Sequence, residues 1–483
     1  GGAAQVGQGW KMVMNCLAAG RSISLPANGV GMSKLCALTT GAYGHVRTQF
    51  KMAVGRFEGV EEAIARIGGN AYIMDAARVM TAGAIDLGEK PSVVSAIVKY
   101  HLTERARENI NAAMDVHGGK GICMGPSNYL ARAYQQIPIG ITVEGANILT
   151  RSMIIFGQGA IRGHPFVLRE INATREQDAA KALRNFDAAF CGHVAFVISN
   201  FVRAVFLGFT KALFVGAPGD GETRRYYQKL TRYSTGFALL ADASMFVLGG
   251  SLKRRERLSA RLGDILSQLY LASAALKRYE DAGRPVDDLP LLHWSMQDAL
   301  LRVQEAFYGL FENLPNRLVA LVMRHCIFTY GAECKAPRDR LGQQVVRTLM
   351  EPGPARERLT KGVFVPKNET EAVGALESGR CDVLISNNLA GGGFDEIQKL
   401  HRQFLDDLRI SFHLGVRKGD RQLLSLLNEG IARAKQDGTY DRLHAKWIGP
   451  VEPRRLTANE LKPYLYPVLL VGAGLLAALL WQR

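Results

Sequence analysis

VVSAIVKYHLTERARENINAAMDVHGG, residues 93–119, reads as one long helix that stops at Gly118-Gly119, a glycine pair being a natural helix end. Working outward, GVEEAIARIGGNAYIMDAARVMTAGAIDLGE (59–89) places Ile64, Ile67, Ile73, Ala77, Val79 and Met80 at helical spacing. Residues 8–43 carry Met12, Met14, Leu17, Ile23, Leu35 and Leu38 in the same rhythm, with Pro26 the one proline. Shorter helices are expected in 126–134 and 145–160. Three long antiparallel helices and a shorter pair make an α-bundle, so the fold is expected to be mainly α.

The chain has 483 residues, enough for two to four domains. With 47% hydrophobic and 22% charged residues it is globular rather than disordered. The formal charge of +16 could serve nucleic acid, an anionic membrane surface or an acidic cofactor. Its basic residues gather in RRYYQKLTRY (224–233) and KRRERLSAR (253–261), between apolar helical runs, where a solvated helix face is the plain alternative. Zinc-finger spacing and aromatic RNA-binding signatures are absent, so no nucleic-acid partner is expected. The seven cysteines are scattered without a CxxC or CxxH pair. Neither a disulfide framework nor a metal site is therefore expected.

From about 166 to 360 the pattern stays helical. AFCGHVAFVISNFVRAVFLGFTKALFVGAP (189–218) is strongly apolar but carries Arg203 and Lys211. Those charges favour a buried or interface-lying helix over a membrane-crossing one. Further helices are expected in 236–250, 258–281 and 295–327. Near 377 the composition shifts: GRCDVLISNN (379–388) and ISFHLGVRKGD (410–420) read as strands, followed by a helix to Gly438. At the end, YLYPVLLVGAGLLAALLW (464–481) has no charge and is long enough to span a bilayer.

GITVEGANILTR (140–151) sets one acid, Glu144, among Ile141, Val143, Ile148 and Leu149. An ionised carboxylate away from water is costly and its pKa rises. The plain reading is an acid at a helix start, where the helix dipole suits it. The sharper one is a general base.

Taken in order, GQGWKMVMNCLAAGR, RTQF (47–50), HGGKG (117–121) and VEGANILTR (143–151) resemble the C-terminal helical domain of acyl-CoA dehydrogenases. The continuation to about 375 resembles the extra helical domain of the long bacterial enzyme of fatty-acid β-oxidation. The resemblance implies FAD as cofactor, fatty acyl-CoA as substrate, electron-transfer flavoprotein as acceptor, and a homo-oligomer. Desaturating an acyl-CoA at the α,β bond needs a hydride acceptor, a base for the α-proton and donors for the thioester oxygen. The resemblance puts that base at Glu144. In some family members the base precedes the arginine that matches Arg21; here that position is Gly20, which cannot serve. Arg21 and Gly145 fall on the substrate side. Arg47, Gln49, Phe50, Gly118, Gly119, Ala146 and Asn147 match cofactor positions, with RTQF reaching the flavin dinucleotide of a neighbouring subunit. Asp115, Ala18 and Lys51 depart from the family pattern.

The stretch after about 377 resembles the end of a type-3 solute-binding domain followed by a transmembrane helix, although Asn387 replaces the acid that grips a ligand amine. The expected organisation is therefore a bundle (1–165), an additional helical domain (166–375), a partial α/β lobe (376–462) and a membrane helix (463–483). The family's N-terminal helical and central β-domains have no counterpart here, and this polypeptide alone is expected to bind FAD poorly. The expected location is cytoplasmic or at the inner membrane, although a solute-binding lobe ahead of a membrane helix normally faces outward. A membrane-tethered solute-binding or sensor module is the alternative function.

Overall fold

The computed structural model describes residues 20–89, 91–124, 128–219 and 221–363, with Met12 and a few positions between 384 and 442. The chain divides into two compact units, Gly1–Val365 and Pro366–Arg483. The first is built almost wholly of helices: α1 (Ser24–Val46), α2 (Glu58–Asp86), α3 (Ser92–His117), α4 (Ala179–Phe209), α5 (Arg224–Leu248), α6 (Glu256–Asp281), α7 (Leu289–Asn313), α8 (Arg317–Ile327) and α9 (Asp339–Met350), with shorter turns between. In the second unit, β3 (Leu384–Asn387) pairs antiparallel with β4 (Phe412–Gly415), inside the two stretches expected to be strands. The apolar run 464–481 and residues 1–11 lie outside the described residues.

Helix α2 is the axis of the first unit. Ile64, Ile67, Tyr72, Ile73 and Met74 are all fully buried, as expected of a helix covered on every side. Its small residues let neighbours close in. A Cβ at Gly68 would lie 2.7 Å from Val345 of α9, and one at Gly69 would lie 1.8 Å from the Trp294 ring of α7. Helices α3, α6, α7 and α9 thus share one apolar core with α1 and α2.

Burying α2 also buries its polar side chains, which must find partners. Asp75 pairs with Lys34 of α1 at 3.0 Å, with Arg78 at 2.7 Å, and with Arg278 of α6. Burial pushes its pKa up, but the three cations outweigh burial and hold the carboxyl below its ordinary value. Nearby, Arg105 of α3 donates to Asn70 of α2, to Asp298 of α7 at 3.0 Å and to Gln268 of α6 at 3.2 Å.

Three expectations are corrected. The run 8–43 is not one helix: Gly20–Ser22 forms a turn of helix, Ile23 interrupts it, and α1 starts at Ser24. Pro26 explains this, because its ring crowds the carbonyl of Ser22 and it has no N–H to offer. The run 295–327 is two helices, α7 and α8, parted at Pro315, with the Asn316 side chain accepting from the Val319 N–H at 3.1 Å. Within 145–160, Thr150–Gln158 is a π-helix, a form that favours functional sites.

Replacing Asp75 by Ala leaves Lys34 and Arg278 buried without their carboxylate. It should cost about 3–5 kcal/mol in urea unfolding at neutral pH. The contribution of Asp75 is complete above the ordinary carboxylate pKa and fades as pH falls through the lowered folded value. The gap between wild type and Asp75→Ala should therefore narrow in strong acid.

Candidate active site

Glu144 follows the short helix Pro138–Thr142 and precedes Asn147–Leu149, which runs into the π-helix. Its φ is +55° and that of Gly145 is +102°, so the chain turns through the left-handed region over two residues. Glycine tolerates this; glutamate does so at a cost of about 1–2 kcal/mol. Such a conformation persists where surroundings over-determine it, and here they do. Lys99, fully buried on α3, donates from Nζ to the Gly145 carbonyl and to Asn147 Oδ1, both at 2.6 Å. The Thr150 hydroxyl donates to the same carbonyl at 3.1 Å. Asn147 Nδ2 donates to Thr103 Oγ1 at 3.0 Å and to Glu104 Oε1 at 2.7 Å.

The carboxylate thus held is half-buried, and its Oε2 finds no hydrogen-bond partner among the described residues. Burial raises its pKa, while the charges of Arg21 and Lys99 pull it down without cancelling the rise. Burial lowers the pKa of buried Arg21, against the pull of Glu144. It lowers that of Lys99 to about 8. One carboxylate with two cations nearby is a group poised to take a proton from something that enters the site.

Gly20 makes the room. A Cβ built on it would lie 2.3 Å from Glu144 Oε1, so the carboxylate occupies the space that any side chain at position 20 would need.

Glu144, Gly145, Ala146, Asn147 and Arg21 come together around the middle of α3, at Lys99 to Glu104. Asn147, read from sequence as a cofactor position, points its side-chain amide inward to Lys99, Thr103 and Glu104. Arg47, Gln49 and Phe50 lie elsewhere, on a hairpin of β1 (Thr48–Gln49) with β2 (Met52–Ala53). Phe50 and Lys51 form its tip with φ of +49° and +65°, and Phe50 is 91% exposed. Gly118, with φ +53°, caps α3, and Gly119 opens the short helix Gly119–Ile122; a Cβ on either would meet nothing within 4 Å. The hairpin and the glycine pair share one end of the bundle, because Tyr43 of α1 stacks on His117 with ring centroids 4.3 Å apart. Lys99 and His117 stand on one helix, so the two groups of residues lie about 27 Å apart along it at 1.5 Å per residue.

Lys99 was missed in the sequence, since a lysine in an apolar helical run looks like any surface cation. The π-helix was missed too. It ties the site to α6, where Arg151 Nε donates to Asp264 Oδ1 at 2.9 Å.

Two family models cover most of the chain end to end: "Acyl-CoA dehydrogenase, C-terminal domain" over 7–157 and "Acyl-CoA dehydrogenase, C-terminal, bacterial type" over 161–389. The chain belongs to the acyl-CoA dehydrogenase family. A third model, "Bacterial extracellular solute-binding proteins, family 3", matches 353–450. Among solved structures, the acyl-CoA dehydrogenase complexed with FAD from Bacillus anthracis superposes with a TM-score of 0.52 at 16% identity, over 72% of this chain and 56% of that one. It shares the fold. Curated relatives include 3-(aryl)acrylate reductase of Clostridium sporogenes, 24% identical over 154 residues (31% of this chain, 39% of the relative), and acryloyl-CoA reductase (NADH) of Anaerotignum propionicum, 28% over 149 residues (31% and 37%). The glutamine-binding protein GlnH of Bacillus subtilis is 31% identical over 86 residues, 17% of this chain and 30% of that protein. The chain spans less than two fifths of the length of each of these relatives.

Lys99→Met removes the donor from two buried acceptors. It should cost about 1–3 kcal/mol at pH 7 by chemical denaturation. With its pKa lowered from 10.5 to about 8 in the folded protein, Lys99 binds fewer protons folded than unfolded between those values, so its contribution to stability rises with pH there. The variant should lose that rise.

Proposed function

We propose that these residues form the helical side of an FAD-dependent acyl-CoA dehydrogenase active site that converts fatty acyl-CoA to trans-2-enoyl-CoA, with Glu144 as the base for the α-proton. One observation carries this above all: a strained, half-buried carboxylate with raised pKa, held by Lys99 and given room by Gly20. Arg21 stands on the substrate side, and the positive φ at Gly145 leaves a backbone edge without a side chain against which a thioester can lie. Excluding water as substrate enters would raise the basicity of Glu144 further.

The residues suit a flavin dinucleotide. Arg47 offers a guanidinium fork for a pyrophosphate and Phe50 an exposed aromatic face, while Gly118 and Gly119 leave open surface. A bound flavin supplies the hydride acceptor that no side chain can provide. The distance of about 27 Å along α3 favours two different flavins for the two groups of residues. Glu144 would work on its own subunit's flavin, and the Arg47–Phe50 hairpin would hold a neighbour's in a homo-oligomer. Electron-transfer flavoprotein is the acceptor this chemistry would use.

A second partner is a membrane surface. Phe190, Val194, Ile198, Val202, Phe206 and Phe209 of α4 are all exposed. Meanwhile Ala189, Asn200, Ala204 and Leu207 pack inward. The helix is long and apolar enough to cross a bilayer, but its packed face and Arg203 favour lying on one. The lobe that matches solute-binding proteins has only β3 and β4 described as strands, and the dehydrogenase reading absorbs most of the chain.

In the enzyme that carries these residues, Glu144→Gln should lower acyl-CoA oxidation with an artificial acceptor by about 10²–10⁴-fold while flavin absorbance is kept. Gly20→Ala, which pushes the carboxylate aside, should lower kcat/KM at least about tenfold. An unchanged rate in the first variant removes Glu144 from the mechanism. Flotation with vesicles containing phosphatidylglycerol should carry the chain upward, and replacing Ile198 and Phe206 by serine should weaken this. Equal flotation of wild type and variant would rule out α4 as the contact.

A further inference from the structure

Away from Glu144, three side chains converge where the link into the later helices meets α4 and α5. His164 Nε2 lies 2.9 Å from Asp242 Oδ1, and His193 Nε2 lies 3.4 Å from the same oxygen. One ligand atom from each of the three falls within 4.8 Å of the others. The Asp242 side chain is 5% exposed and that of His164 9%. Yet Asp242 Oδ2 and His164 Nε2 find no hydrogen-bond partner of acceptable geometry among the described residues. A buried carboxylate oxygen left this way costs free energy unless a cation meets it.

The spacing indicates which cation. Around a divalent ion with ligands at about 2.1 Å, donor atoms sit about 3.0–3.4 Å apart, close to the two distances found. His193 also has the support that metal-bound histidines have: its Nδ1 lies 2.8 Å from Glu170 Oε1. That contact keeps the ring proton on Nδ1 and turns the Nε2 lone pair toward Asp242. We infer that His164, His193 and Asp242 form a binding site for a divalent transition-metal ion of the zinc type, with Glu170 orienting His193 and water completing the coordination.

Binding has a defined proton balance. His164 Nδ1 now accepts from the Phe166 and Val167 N–H groups, both at 3.2 Å, so its ring proton resides on Nε2. Coordination through Nε2 moves that proton to Nδ1 and gives up the two long contacts. Ligation would join α4, α5 and the Gly163–Phe166 link. An apolar cavity of about 350 Å³, lined in part by His164, Phe196 and Phe237, opens beside the site.

The test is titration of the tag-free, chelator-stripped chain with Co²⁺, followed by Zn²⁺. The expected result is visible absorption that saturates at one Co²⁺ per chain and is abolished by one equivalent of Zn²⁺. His193→Gln, at a partly exposed position, should bind at least about tenfold more weakly, and so should Glu170→Gln. Both should keep the wild-type circular dichroism spectrum, and Asp242→Asn serves as a further variant at the buried ligand. Absence of saturable absorption in the wild type overturns the site. So does equal affinity in a folded His193→Gln variant. Neither outcome bears on Glu144.

Discussion

A helix stretch enclosed by its neighbours cannot carry a charge alone, and the buried middle of α2 carries Asp75. Everything that packs around it answers to that constraint. Lys34 from α1 and Arg278 from α6 reach the same carboxylate from helices that lie far apart in the chain, and two turns earlier the glycines at 68 and 69 bring α9 and α7 close against the same helix. The apolar core supplies most of the driving force. The charge decides which helix faces which, because sliding a neighbour by one turn would strand a cation or the carboxylate in a dry interior. Arg105 does the same one layer away, through Asn70, Gln268 and Asp298.

The candidate site is a second instance of the same physics at smaller scale. Lys99 is a buried cation whose partners are a carbonyl and an amide, and through them it fixes a backbone shape that glutamate does not adopt by preference. The packing energy of α3 is in this way converted into the position of the Glu144 carboxylate. The π-helix that follows extends the connection, since its Arg151 is tied to Asp264 of α6. The segment after Glu144 is thus braced by a helix that comes a hundred residues later.

Helices α2 and α3 were legible because their apolar spacing is regular and their ends are marked. Where residues 8–43 and 295–327 were read as single helices, the deciding features were Pro26 and Pro315, single residues inside an otherwise continuous pattern. The Glu144 site was legible through four motifs in order, which identify a position but not its supports. Lys99 carries no sequence signal of its own, because burial of a lysine depends on what packs against it. His164, His193 and Asp242 were invisible for a related reason: only the packing of α4 on α5 brings them together.

The space shared by position 20 and the Glu144 carboxylate makes the two sites mutually exclusive. A second carboxylate cannot be installed at position 20 while Glu144 remains, because even a methyl group there would collide with it. Removing Glu144 first leaves neither position with a carboxylate. Moving between the two placements therefore requires both changes together, and a designer or a lineage making them one at a time would pass through a crowded or an empty site.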